Sequence, residues 1–204
     1  MLFGFGHLVS VMSAIHDKVD PATVEARLKY LQRVPFPAPR GDVGKGGRTY
    51  YSAEDLMKLV VVFELIAASI LPAQAAALVT ERWSEIANGL GRAWQARSDA
   101  GTSLLMLATP NPFDLSSGGA GHIDIVSADE LGGLLKDRRD VGRRMGPDRH
   151  STLERRVTLV DLISLADALD GALSPAVPAP VFAEMAQELD VWVRGHQRVG
   201  RTRK

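Results

Sequence analysis

No helix can run unbroken between Leu31 and Leu56. Pro35, Pro37 and Pro39 stand at alternate positions, and Gly41, Gly44, Gly46 and Gly47 follow directly. Each proline lacks the N–H that a helix needs and forces the residue before it into extended backbone, so the preceding helix must stop near Val34. The glycines permit a short hairpin whose tip can approach another backbone closely. Arg40, Lys45 and Arg48 make that hairpin basic. Ser52-Ala53-Glu54-Asp55 then restarts a helix: the serine hydroxyl can cap it and the acids suit its first turn.

The flanks read as helices by their apolar spacing. Leu8, Val9, Val11, Met12 and Ile15 predict a short helix over Phe5–His16, followed by a polar turn, His16-Asp17-Lys18. Asp20-Pro21 predicts the next helix start, with the Asp20 carboxylate as cap and proline at the first helical position. Val24, Leu28 and Leu31 would face inward and leave Arg27, Lys29, Tyr30 and Arg33 near the outer face. After the hairpin, Leu56, Leu59, Val60, Phe63, Ile66 and Ala67 form an apolar stripe that Ser69–Pro72 interrupts. A further helix is expected over Ala73–Ala87, resuming around Trp94 after Gly89 and Gly91.

The second half reads differently. Ser103–Ala108, His122–Val126 and Val157–Val160 are predicted strands, and 109–121 a proline- and glycine-rich loop. Helices are expected from the Ser127 cap to about Lys136, over Asp161–Leu173 and over Val181–Val193. Residues 137–156 read as an exposed loop or partly helical connector, and 194–204 as a basic tail. The expected class is α+β, with a first domain over 1–97 and a small α/β domain over 98–204 whose helices lie on one face of three strands.

Several functions are disfavoured by what the chain lacks. With no cysteine there can be no disulfide, thiolate zinc site or cysteine nucleophile. The five histidines are scattered without a close pair, so no metal site is expected. Gly41–Gly47 lacks the spacing of a P-loop. His122 and Asp124 beside Ser116 and Ser117 lack a nucleophile elbow, and a structural role is the expectation. Neither a catalytic activity nor a cofactor is expected. The apolar start lacks a basic leader region, and Lys58 and Glu64 break the run Leu56–Leu71, so the expectation is a cytoplasmic protein without a membrane partner. The net charge is zero, so any nucleic-acid surface must be a local patch. One exists: from Arg27 to Arg48 there are six basic residues and one acid, Asp42.

Leu28-Lys29-Tyr30-Leu31-Gln32-Arg33, the exit Val34-Pro35-Phe36-Pro37, and Tyr50-Tyr51-Ser52-Ala53-Glu54-Asp55-Leu56 after a basic hairpin together resemble the MerR-type winged helix-turn-helix family over roughly residues 5–80. The resemblance implies a sequence-specific transcriptional regulator of double-stranded DNA, commonly a homodimer. It places Thr23, Arg27, Lys29, Tyr30 and Arg33 on a helix entering the major groove, and Arg40, Lys45, Arg48 and Tyr50 on a wing against flanking phosphates. The segment from Ile15 to Leu28 is longer than the family pattern and the exit lacks its glycine. Sustained heptads and metal-binding cysteines are missing after Ala87, so neither a metal-sensing role nor any particular effector is carried over. The C-terminal part is then expected to serve dimerisation or partner contact. The competing reading is a protein-interaction adaptor whose winged helix no longer binds DNA.

Overall fold

The computed structural model describes residues 3–34, 36–37, 50–99, 101–110, 121–145, 157–176, 184 and 187–195. Most of the predicted hairpin, including Arg40, Lys45 and Arg48, lies outside them, as do Ser116, Ser117 and residues 196–204.

The chain opens on a two-residue strand, β1 (Phe3–Gly4), pairing antiparallel with β2 (Tyr50–Tyr51), Phe3 opposite Tyr51 and Gly4 opposite Tyr50. So short a strand shows no alternation, and it was not legible in the sequence. Helix α1 (Phe5–Ile15) buries Leu8, Val11 and Met12. Helix α2 (Pro21–Arg33) begins where the proline predicted, but the Asp20 side chain makes no cap hydrogen bond. The Asp20 carbonyl instead accepts from the N–H groups of Thr23 and Val24.

Helix α3 (Ala53–Ala67) has the capping box that Ser52 and Asp55 predict: Asp55 N–H donates to Ser52 Oγ at 3.1 Å and Ser52 N–H to Asp55 Oδ2 at 2.9 Å. Its far end closes with Ser69 N–H donating to the Ile66 carbonyl and Ile70 N–H to the Leu65 carbonyl, with Ser69 at φ 68°. That is a Schellman ending, in which a left-handed residue satisfies the last carbonyls. Helix α4 (Pro72–Glu81) follows at once, then α5 (Trp83–Ala96).

The break between α4 and α5 falls at Arg82, not at the glycines the sequence pointed to. Gly89 and Gly91 lie buried inside a continuous α5. A Cβ on Gly89 would stand 3.0 Å from Ile125 Cδ1 and 3.1 Å from Leu162 Cδ1, so this glycine lets the helix approach its neighbours closely. Arg82 ties the junction to the sheet, donating from Nε and Nη2 to the Gly121 carbonyl at 3.3 Å each.

Strands β3 (Leu104–Pro110), β4 (Gly121–Ser127) and β5 (Thr158–Asp161) form an antiparallel sheet in the order β4-β3-β5, with Met106 opposite both Ile125 and Val160. Helix α6 (Ala128–Met145) starts from Ser127, whose Oγ accepts from Glu130 N–H at 3.3 Å while Glu130 Oε2 accepts from Ser127 N–H at 2.9 Å. It continues well beyond Lys136, so the first part of the expected connector is helix. Helix α7 (Leu162–Ala176) starts from Asp161, which accepts from the N–H groups of Ile163 and Ser164. A last helix, α8, covers 187–195. It buries Leu189 and Val193, and Trp192 stacks on Trp83 with ring centroids 5.7 Å apart.

The molecule mixes helix and strand and is α+β. The divide drawn at 97/98 falls in the turn after α5, yet the buried cluster runs across it, joining Leu8, Phe63 and Leu90 to Met106, Val160 and Leu169. Both α1 and α5 pack on α7. Among the described residues no helix is long and apolar enough to cross a membrane.

Candidate functional site

Helix α2 is two-faced. Val24, Leu28 and Leu31 recur at three- and four-residue spacing and are buried, which fixes the helix against α1 and α4. The same spacing makes two outward rows. Thr23, Arg27 and Tyr30 form one, and Lys29 and Arg33 the other. Thr23, Lys29, Tyr30 and Arg33 are exposed; Arg27 is half-buried. Lys29 Nζ lies 2.6 Å from Glu25 Oε1, one turn earlier, with both side chains largely in water. Such a pair contributes little and opens readily.

Beside α2 the β1–β2 ladder holds the exit of the expected hairpin. Tyr51 is buried and its hydroxyl accepts from Gln32 Nε2 on α2, while Tyr50 points outward at 52% exposure. The outward tyrosine therefore lies on the strand that leads into α3, next to the end of α2. Of the nine residues predicted to read or clamp a duplex, six are described, and they belong to α2 and to β2 beside it. Arg40, Lys45 and Arg48 lie outside the described residues.

Arg27 and Tyr30 also line a cavity of about 300 Å³, together with Ile66 and Pro72 among the described residues. The Schellman ending of α3 makes it: the chain turns at Ser69, buries Ile70 and brings Pro72 back towards Ile66. Leu71, in that turn, is 64% exposed. Arg27 makes neither ion pair nor hydrogen bond with any described residue.

Under α2 lies a polar pair that the apolar spacing did not reveal. His16 was expected at the start of a polar turn; it stacks on Phe63 at 5.7 Å and its Nε2 lies 3.8 Å from Glu64 Oε1. Burial, reinforced by the positive charge of Arg27, holds the His16 imidazole below its ordinary range. Burial pushes the Glu64 carboxyl up. Both groups therefore resist ionisation, and the 3.8 Å contact is no strong ion pair.

No family model matches the chain, and no curated protein or solved structure matches it significantly. Function must therefore be read from the chemistry of this face.

The other polar groupings offer less. His122 Nε2 and Asp124 Oδ1 are 3.0 Å apart on the edge strand β4, with His122 largely in water. Ser116 and Ser117 lie outside the described residues. Among the described residues no group of three or more His, Asp or Glu side chains could hold a metal ion.

Proposed function

We propose that the protein is a sequence-specific regulator of transcription that binds double-stranded DNA through a MerR-type winged helix-turn-helix, working as a homodimer. In this reading α2 enters the major groove, Thr23, Arg27, Lys29, Tyr30 and Arg33 face bases and phosphates, and Arg40, Lys45, Arg48 and Tyr50 sit on a wing that clamps the flanking backbone. The observation that carries it is the division of α2. Three buried aliphatic residues hold one face, while the other turns three cations, a hydroxyl and an aromatic ring wholly or partly to solvent. The β1–β2 ladder supports the wing, because it fixes the hairpin's exit beside α2. Phosphate contacts would supply affinity and salt dependence, and the α2 side chains sequence choice.

A protein-interaction adaptor is the second reading. Tyr30 at 44% and Leu71 at 64% exposure, around an apolar-walled cavity, favour it.

The test is duplex binding over a salt series by the wild type and the triple variant Arg27→Ala/Lys29→Ala/Arg48→Ala. The DNA reading expects affinity that falls steeply with salt and a variant that loses both affinity and about three units of salt slope, roughly 0.9 for each phosphate contact. Identical behaviour of the two proteins, or no binding by either, sinks it and leaves the adaptor.

A further inference from the structure

We propose that α6 is a dimerisation arm that pairs antiparallel with α6 of a second copy of this chain. The inference names the contact behind the homodimer of the reading above and rests on that part of it alone, not on DNA binding.

Helix α6 is long and scarcely covered. Its 18 residues extend about 27 Å, and its main contact within the fold is with β4, the strand it follows. Over 128–136 no residue is buried: Leu131 and Leu134 are half-buried and the other seven are exposed. Each of the other helices buries at least two side chains. Most of a helix's stability in a protein comes from packing an apolar face, and α6 has little else to draw on. Gly132 and Gly133, with open space where a Cβ would stand, weaken its first half further. Yet the apolar face is there. Leu131, Leu134 and Leu135 fall on one side by three- and four-residue spacing, and Leu135 is 40% exposed.

The order of charge along α6 identifies what covers that face. Asp129 and Glu130 occupy its first turn, and 128–135 hold no base. The sequence of 136–145 holds five basic residues against two acids. Placing Leu134 and Leu135 at a two-fold axis sets the first turn of one helix against positions 138–140 of the other, Arg138-Arg139-Asp140, a net positive stretch. Opposite charges then flank a shared leucine seam, and the two helix dipoles oppose each other. A parallel pair would put like charges together at both ends. Because both copies use the same surface, the contact closes at a dimer. A DNA backbone suits this face less: leucines offer phosphates no hydrogen bond, and the acidic first turn repels them.

Sedimentation equilibrium of the full chain tests the pairing. One helix from each copy makes an interface at the small end of the specific range, so a monomer–dimer equilibrium with a Kd on the order of 10 μM is expected. Leu135→Ala should weaken it on the order of 30-fold, because both copies lose most of the exposed leucine surface. Asp129→Lys and Arg138→Glu/Arg139→Glu, each alone, should weaken it about tenfold at low ionic strength, and an equimolar mixture of the two should recover the affinity as a heterodimer. That recovery also shows that both variants are folded. A wild type that stays monomeric at every concentration, a dimer that Leu135→Ala leaves unchanged, charge variants that dimerise like wild type, or a mixture that recovers nothing overturns the proposal. Duplex binding by the same proteins separates the two readings. An α6-dependent dimer that binds no duplex sinks the DNA reading and keeps this interface; duplex binding by a chain whose dimerisation ignores these substitutions does the reverse.

Discussion

Helix α2 and strand β3 lie in one continuous core and are used in opposite ways. Helix α2 is anchored on one face, through Val24, Leu28 and Leu31, and gives the other to water. Strand β3 is covered on both: Met106 and Leu107 are consecutive, point to opposite sides of the sheet, and are each fully buried. A segment buried on one side can present side chains to a partner, whereas one buried on both can only support. The difference says where to look for function, and it does so without appeal to any relative.

The largest expected effects test whether the core is as continuous as it looks. Leu28→Ala on α2 and Met106→Ala on β3 should each cost about 2–5 kcal/mol, the range for truncating a buried aliphatic side chain. Urea unfolding followed by tryptophan fluorescence and far-UV circular dichroism should show one shared transition for either variant, because the buried cluster spans both halves. Two separated transitions would break the comparison, making α2 and β3 parts of independently stable units. On the outer face of α2, Lys29→Ala should change stability by less than about 0.5 kcal/mol.

A paired substitution sharpens the contrast between presenting and supporting elements. Gly89→Ala would push a methyl group to within 3.0 Å of Ile125 and 3.1 Å of Leu162. Overpacking costs about 1–3 kcal/mol and the gain in helix propensity offsets about 1 of it, so a net loss of about 1 kcal/mol is expected. On α6, a methyl group at Gly132 would meet nothing within 4 Å, and Gly132→Ala should gain up to about 1 kcal/mol. Thermal melts of the two variants should move in opposite directions; movement in the same direction would mean that α5 does not lean on the sheet as described.

These glycines also show what could be read from the sequence and what could not. Chemistry between near neighbours was legible. The Ser52/Asp55 box, the Pro21 start, the Ser127 start and the three longer strands all follow from residues a few positions apart. Gly89 and Gly91 looked like punctuation because glycine usually ends helices, but here a neighbour 36 residues on required the missing side chain at Gly89. The real break at Arg82 carries neither glycine nor proline. The outward row of α2 was visible from helical spacing alone. The cavity beside it was not, because Arg27 and Ile66 meet only through the tertiary fold, and the stacking of His16 on Phe63 was hidden for the same reason.

Ser69 offers a smaller effect at the edge of that cavity. It is exposed and holds φ 68°, a left-handed conformation that costs a non-glycine residue about 1–2 kcal/mol. Glycine removes that cost but adds unfolded-state entropy worth about 0.4–1 kcal/mol. Ser69→Gly should therefore stabilise the protein by about 0.5–1 kcal/mol, read as a higher urea midpoint with an unchanged slope. A loss instead would mean that the Ser69 side chain holds the turn that shapes the cavity.

The smallest effect concerns the half-buried pair His16 and Glu64. Burial raises the Glu64 pKa above its ordinary 4.5. A carboxyl raised in the folded state favours folding fully below its unfolded pKa, and that contribution is lost as pH rises through the folded value. The wild type should therefore lose stability between pH 4.5 and the raised value, where Glu64 ionises beside Phe63 and His16. Glu64→Gln keeps the shape and cannot ionise, so the stability of the variant relative to wild type should grow as pH rises from the ordinary carboxyl range through the raised value, measured as the difference in urea midpoint. His16 titrates in the opposite sense: its lowered pKa makes its contribution fall as pH drops below 6.5. Because the substitution leaves His16 in place, that second dependence is common to both proteins to first order and cancels from the difference. A difference that instead shrinks towards neutral pH would show that the Glu64 carboxylate is held by protonated His16 after all, and would turn this supporting contact into an ion pair beneath the presenting helix.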